Sequence, residues 1–140
     1  MPRTILAFDF GLRRIGVAVG QDVTGSASPL GVIANDGGRI DFRAIDRHIA
    51  EWQPDQLVVG LPLKTDGSDS EMLGPVRRFM ASLGRYGLPV ATMDERYTST
   101  EAERLLKQAR AEGRRGRIDK ASIDSAAAVL IAERFLADGS

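Results

Sequence analysis

Two apolar runs open the chain, Thr4–Asp9 (TILAFD) and Ile15–Gly20 (IGVAVG), and both read as strands. The join between them, carrying Gly11, Arg13 and Arg14, is too short for a helical crossover and predicts an antiparallel hairpin. A third strand is predicted over Leu30–Ala34. Asn35-Asp36-Gly37-Gly38 then reads as a polar turn. From Asp41 to Trp52 the period changes: Phe42, Ile45, Ile49 and Trp52 recur at three- and four-residue spacing, the mark of an amphipathic helix. Pro54-Asp55 closes that helix, and Gln56–Gly60 (QLVVG) is a short, strongly apolar strand.

The segment LPLKTDGSDS is predicted loop. A helix follows from about Glu71 to Tyr86, with Val76, Phe79, Met80 and Leu83 on one face, and Gly87 and Pro89 punctuate the chain before a strand over Pro89–Met93. Thr98 opens TSTE, a capping-box pattern in which the Thr hydroxyl accepts from orphan amides and Glu101 reaches back. That helix runs towards Arg110, and the Gly/Arg-rich EGRRGRI separates it from a last helix through Asp124 to Leu136. The order β-β-β-α-β-α-β-α-α implies an α/β fold with a mixed sheet and helices on both faces. No repeat or linker interrupts it, so residues 1–140 are expected to form a single domain.

Composition narrows the chemistry. The chain of 140 residues contains no cysteine, which removes thiol nucleophiles, zinc–thiolate sites and iron–sulfur clusters. No apolar run reaches the roughly 18–20 residues that span a bilayer, and the N-terminus lacks a signal-peptide core, so a cytoplasmic protein with no membrane partner is expected. Lys+Arg and Asp+Glu are both 19, a formal net charge of zero that argues against indiscriminate duplex binding through a general positive coat. His48 is the only histidine, which excludes histidine-rich zinc sites. It stands beside the apolar stripe of the first helix and reads as structural or solvated.

Acidic residues stand at element ends. Asp9 falls at the C-terminal end of the first strand, the edge where ligands gather in open α/β sheets. Its plainer reading is a turn cap ahead of Gly11. Asp94 and Glu95 follow the strand PVATM. Two adjacent acids cannot both enter one small space, so one faces a site while the other caps the turn, or both are solvated helix caps. Asp124 lies between Ile131 and Phe135 on a helical wheel of roughly 100° per residue, with Ala127 and Ala128 flanking. A carboxylate among apolar neighbours needs a cation or an arginine, and helix N-terminal capping beside Ser122 and Ser125 is the rival account. Asp66, in LKTDGS with Lys64, is first a turn signal and second a substrate-positioning loop. Three separated acids would suit Mg²⁺ or Mn²⁺, which take oxygen ligands.

Between Arg104 and Lys120 seven basic residues (among them Arg114, Arg115, Arg117 and Lys120) face only Glu112 and Asp119, a local charge of +5. This segment reads either as a solvated loop or as phosphate contacts beside a metal-dependent site. Arg13 and Arg14 could extend it. No aromatic residue is interleaved there, which disfavours base stacking.

The runs FDFGLRRIGVAVG, VVGLPLKTDGS, DERYTSTEA and KASIDSAAAVLI closely resemble the YqgF/RuvX family, Holliday-junction-resolvase-like proteins described as nucleases of pre-16S ribosomal RNA. The resemblance spans nearly the whole chain with its motifs in order. It implies an RNase H-like fold, a five-stranded mixed sheet whose second strand is antiparallel. It also implies a metal-dependent phosphodiesterase that matures the 5′ end of 16S rRNA, using Mg²⁺ or Mn²⁺. The family acids map to Asp9, Glu95 and Asp124. Gly11, Arg14 and Gly16 match the opening glycine–basic pattern; Gly60, Pro62, Asp66 and Gly67 match the loop after the fourth strand; Arg96 and Thr98 match the segment after Glu95. Nucleic-acid contacts are expected from Arg13, Arg14, Lys64, Arg96, Arg114, Arg115, Arg117 and Lys120.

Two positions depart from the family pattern. Gly20-Gln21 followed by Asp22 stands where many members have Ser-Asp, which makes Asp22 a possible replacement acid. Lys64-Thr65 replaces a frequent Asn-Met pair. Rival readings are a Holliday-junction resolvase, a non-catalytic RNA- or ribosome-associated factor, and an actin-like ATPase suggested by the D-x-G at Asp9. The chain is short for the two lobes of that ATPase, and it has no second phosphate loop and no P-loop motif. The expected partner is pre-16S rRNA or a pre-ribosomal particle, with the protein a monomer or weak homodimer.

Overall fold

The computed structural model describes residues 3–61, 73–94 and 120–137. Six strands form one sheet: β1 (Thr4–Asp9), β2 (Arg14–Gln21), β3 (Ser26–Asp36), β4 (Arg39–Ile40), β5 (Gln56–Leu61) and β6 (Val90–Asp94), in the order β4-β3-β2-β1-β5-β6. β2 is antiparallel to both β1 and β3, and β4 is antiparallel to β3. β5 and β6 extend the sheet in parallel from β1. The helices are α1 (Phe42–Trp52), α2 (Leu73–Leu83) and α3 (Lys120–Ala137), with a 3-10 turn at Gly84–Tyr86.

The expected hairpin, mixed sheet and helix on each face are present. The strand count differs, six rather than five. Gly37 and Gly38 take φ of 59° and 94°, the left-handed pair that folds a two-residue hairpin, and this brings Arg39 and Ile40 opposite Asp36 and Asn35. A two-residue strand carries no periodic signal, so the sequence shows only its turn. The third strand is also longer than Leu30–Ala34, because a bulge between Val17 and Ala18 and a left-handed Gly31 (φ 99°) break its alternation without ending its pairing. The predicted helix ending near Tyr86 finishes instead as α2 followed by the 3-10 turn. The predicted helix from Thr98 to Arg110 lies outside the described residues.

Strand alternation divides the core in two. Leu6 and Phe8 of β1, Ile15, Val17 and Val19 of β2, and Leu57 and Val59 of β5 point to one face, where Ile45 of α1 and Val76, Phe79 and Leu83 of α2 cover them. The other residues of β1, Ile5 and Ala7, face α3 with Val58 and meet Ile131, Ala132 and Phe135. On β2 the α3-facing series is Gly16, Ala18, Gly20. Small residues there, met by Ala127, Ala128 and Ala132, let α3 approach closely: a Cβ on Gly20 would stand 3.2 Å from Leu136 Cδ1 and 3.3 Å from Ala132 Cβ. Asp41 caps α1, its carboxylate accepting from the Ala44 N–H at 3.3 Å, and Gln53 ends the helix at φ 45°.

Candidate functional site

β1, β5 and β6 run parallel, so their C-terminal ends share one edge, and Asp9 is the last residue of β1. Ile5 and Ala7 face α3, and the same alternation places Asp9 on that side. Its register partner on β2 is Gly16. On β5, Val59 pairs with Phe8, and the next residue is Gly60. Both glycines belong to the α3-facing series of their strands. Positions beside a strand residue normally carry side chains about 4.5–5.5 Å away. Glycine at both positions places no side chain of β2 or β5 beside Asp9.

α3 runs antiparallel to β1. Its C-terminal end lies by the start of β1, where the Arg3 guanidinium sits 5.8 Å from the Phe135 ring centroid. Asp124 precedes Phe135 by eleven residues, roughly 16 Å of helix at 1.5 Å each. Arg3 to Asp9 is roughly 20 Å of strand. The backbone of Asp124 is therefore carried towards the edge that holds Asp9, on the helix face continuous with Ala128, Ile131 and Phe135. Next to it Ser125 is buried, 6% exposed, and its Oγ has no hydrogen-bond partner among the described residues.

Asp94 ends β6 opposite Leu61, in the alternate series to Ala91 and Met93, which pack towards α3. Glu95 lies outside the described residues, as do Pro62, Lys64, Asp66, Gly67, Arg96, Thr98, Arg114, Arg115 and Arg117. Lys120 is described in its backbone alone, as the first residue of α3. Among the described residues no group of three or more acids and histidines is gathered for a metal.

The hairpin decides the position of Asp22. Antiparallel pairing sends the end of β2 back to the start of β1, Gln21 opposite Thr4. Asp22 accepts from Arg3 Nε at 3.1 Å, and its N–H donates to the Arg3 carbonyl. It lies beside Arg3, roughly 20 Å along β1 from Asp9, and supplies no acid to that edge. His48 sits on α1, the opposite side of the sheet from Asp9. Burial lowers its pKa, against the raising influence of Glu51.

Arg13 and Arg14 close the β1–β2 turn. Gly11 is required there: a Cβ would stand 2.5 Å from the Arg14 carbonyl oxygen. One residue was not found by sequence reasoning. Asn35, only 2% exposed, donates from Nδ2 to the Gly11 carbonyl at 2.8 Å and from its backbone N–H to the Arg13 carbonyl at 3.0 Å. Asn35 opens a turn motif, so nothing in its sequence context distinguishes this use.

The fold is that of the RuvC-like, RNase H-like resolvases. It matches the T. thermophilus RuvC solved in complex with a Holliday junction substrate, with a TM-score of 0.59 at 14% identity over 99% of this chain and 97% of that one. It also matches the fowlpox virus resolvase solved with Holliday junction DNA, with a TM-score of 0.56 at 11% identity over 96% and 97%. The model of the family described as "RuvX: Holliday junction resolvase" matches residues 3–138, and the chain belongs to this family. A protein of Escherichia coli O157:H7 (strain EC4115 / EHEC) named "Putative pre-16S rRNA nuclease" is 43% identical over 140 residues, 99% of each chain. One of the same name from Escherichia coli O7:K1 (strain IAI39 / ExPEC) is 42% identical over the same span.

Proposed function

We propose that this protein is a metal-dependent nuclease that hydrolyses phosphodiester bonds in nucleic acid and processes the 5′ end of precursor 16S rRNA. The observation that carries the reading is Asp9, delivered by the central strand to the parallel edge with glycine on either side and facing the helix that bears Asp124. Membership of the RuvX family and the names of its E. coli relatives support it.

The donors fit a hard divalent cation. The candidate acids supply oxygen only, and the buried Ser125 Oγ marks a polar spot on α3 that is without a hydrogen-bond partner among the described residues. Asp9, Glu95 and Asp124 would hold Mg²⁺ or Mn²⁺. The ion would supply charge neutralisation at the phosphate and a lowered pKa for water. Asp9, fixed by its strand, holds its carboxylate in place at little entropic cost. Of the adjacent Asp94 and Glu95, Glu95 is the acid that the family pattern assigns to the site. Arg13, Arg14, Lys64, Arg96, Arg114, Arg115, Arg117 and Lys120 bind backbone phosphates. Gly11 shapes the β1–β2 turn at this edge, and Pro62, Asp66, Gly67 and Thr98 are the loop positions that the family pattern adds.

The test is cleavage of a precursor 16S 5′ fragment and a four-way DNA junction by the wild type and by Asp9→Asn, Glu95→Gln and Asp124→Asn. Each variant is expected to fold and to lose at least about 100-fold in rate, since even residues behind metal ligands cost 10–100-fold. Near-wild-type cleavage by all three would refute the assignment. Cleavage of the junction alone would make the protein a resolvase, and binding without turnover would make it an RNA- or ribosome-associated factor. A monomer is favoured because the long free edge of β3 carries Pro29 and the left-handed Gly31, features that discourage edge-to-edge pairing.

A further inference from the structure

We infer that Asn35 is the positioning residue of the site: its buried amide sets the β1–β2 turn, and through that turn the placement of Asp9 and of Arg13–Arg14. The inference rests on the metal-site reading of Asp9. Two carbonyls of one short turn, Gly11 and Arg13, are bound by this single residue of β3, at 2.8 and 3.0 Å. The turn lies between Asp9, the last residue of β1, and Arg14, the first of β2. On the side opposite α3, packing anchors only the entry to the turn, where Phe10 is buried against Phe79 with ring centroids 5.3 Å apart. A cavity of about 530 Å³ opens there between Phe10, Leu12, Asn35, Ile40, Arg78 and Phe79, and Leu12 is 57% exposed. Past Phe10, the hydrogen bonds from Asn35 are the polar restraint on the turn seen among the described residues.

The energetics argue against a purely stabilising role. The Nδ2 bond gains what an ordinary amide–carbonyl hydrogen bond gains, yet Oδ1 of the same amide is buried with no partner among the described residues. An orphaned acceptor costs as much as such a bond gains, or more, so the amide as a whole adds little net stability, and a leucine there would relieve Oδ1 while leaving the Gly11 carbonyl without its donor. What an apolar residue cannot do is fix the Gly11 carbonyl. The donor, not the volume, is the property in use.

The experiment compares wild type, Asn35→Leu, Asn35→Ala, Asp9→Asn and Asp41→Ala by thermal melting, Mn²⁺ titration calorimetry, and cleavage with kcat and KM separated. Asp41→Ala removes the α1 cap and is the control for stability loss away from the turn. Asn35→Leu is expected to keep its melting temperature at least as well as Asp41→Ala. It should bind Mn²⁺ about 10-fold more weakly and lose about 10-fold in kcat, the effect typical of residues that orient metal ligands, with KM held within about twofold. Asn35→Ala reads the same quantities if the leucine disturbs folding. Wild-type Mn²⁺ affinity in both Asn35 variants, or a loss no larger than that of Asp41→Ala, overturns the inference. So does a wild type that binds no Mn²⁺, or whose Mn²⁺ binding survives Asp9→Asn. If wild type binds Mn²⁺ through Asp9 yet cleaves nothing, the nuclease reading fails while the Mn²⁺ titrations still decide the role of Asn35.

Discussion

Replacing Gly11 by alanine should cost stability through one contact whose size can be worked out. The new Cβ would lie 2.5 Å from the Arg14 carbonyl oxygen, about 1 Å inside an ordinary heavy-atom contact. That oxygen belongs to the backbone at the start of β2, where Arg14 is paired with Ala34, so it cannot swing aside as a side chain could. Overpacking of this kind costs about 1–3 kcal/mol. The lower entropy of the unfolded alanine chain returns about 0.4–1 kcal/mol. A net loss of about 1–2 kcal/mol remains. With an unfolding entropy of roughly 2.1 cal/mol/K per residue, a 140-residue chain loses about 3–7 °C in melting temperature. Thermal unfolding followed by circular dichroism measures it directly. The turn must open to admit the methyl group, so cleavage below the melting transition should fall as well. An unchanged or raised melting temperature would refute the clash, and with it the claim that glycine is needed for the approach of the Arg14 carbonyl.

Four further outcomes follow from the described contacts. Asp22→Asn should leave Mn²⁺ binding and cleavage unchanged and cost under about 1 kcal/mol, since it loses only a partly exposed pair with Arg3 at 3.1 Å; a loss of metal affinity would return Asp22 to the site. Gly20→Val should destabilise by about 1–3 kcal/mol in denaturant unfolding, because Ile5, Leu136 and Ala132 already stand within 3.3 Å of its first carbon. Tyr86→Phe removes a 2.6 Å hydrogen bond to Asp46 and should cost about 0.5–1.5 kcal/mol; that bond and burial hold the phenol pKa above its usual value. Burial places the pKa of folded His48 below 6.5, so the unfolded chain binds more protons there, and its contribution favours folding above pH 6.5 and fades as the pH falls through 6.5 towards the folded value. The difference in melting temperature between wild type and His48→Gln should therefore shift against wild type as the pH drops from 7 to 5, and a flat difference would refute the burial.

Much of the architecture could be read locally. The β1–β2 hairpin, α1, β5 and α3 are set by periods of two and 3.6 residues and by glycine and proline at their ends, signals that neighbouring residues carry by themselves. Asp9 at the end of a strand was legible for the same reason. The length of β3 and the existence of β4 were not, because pairing across strands continues through Pro29, Gly31 and a bulge that local alternation reads as an ending.

The sequence by itself thus determined which segments are strands and helices, and which carboxylates stand at their ends. Tertiary structure decided what those carboxylates face. Register placed Gly16 opposite Asp9 and Gly60 after Phe8's partner, and the antiparallel return of β2 carried Asp22 to the far end of β1. Twenty-four residues beyond Gly11, Asn35 came to hold the turn between Asp9 and Arg14. Such relations depend on which strands lie side by side. That is settled when the two faces of the sheet are buried together by α1, α2 and α3, and no short window of sequence contains it.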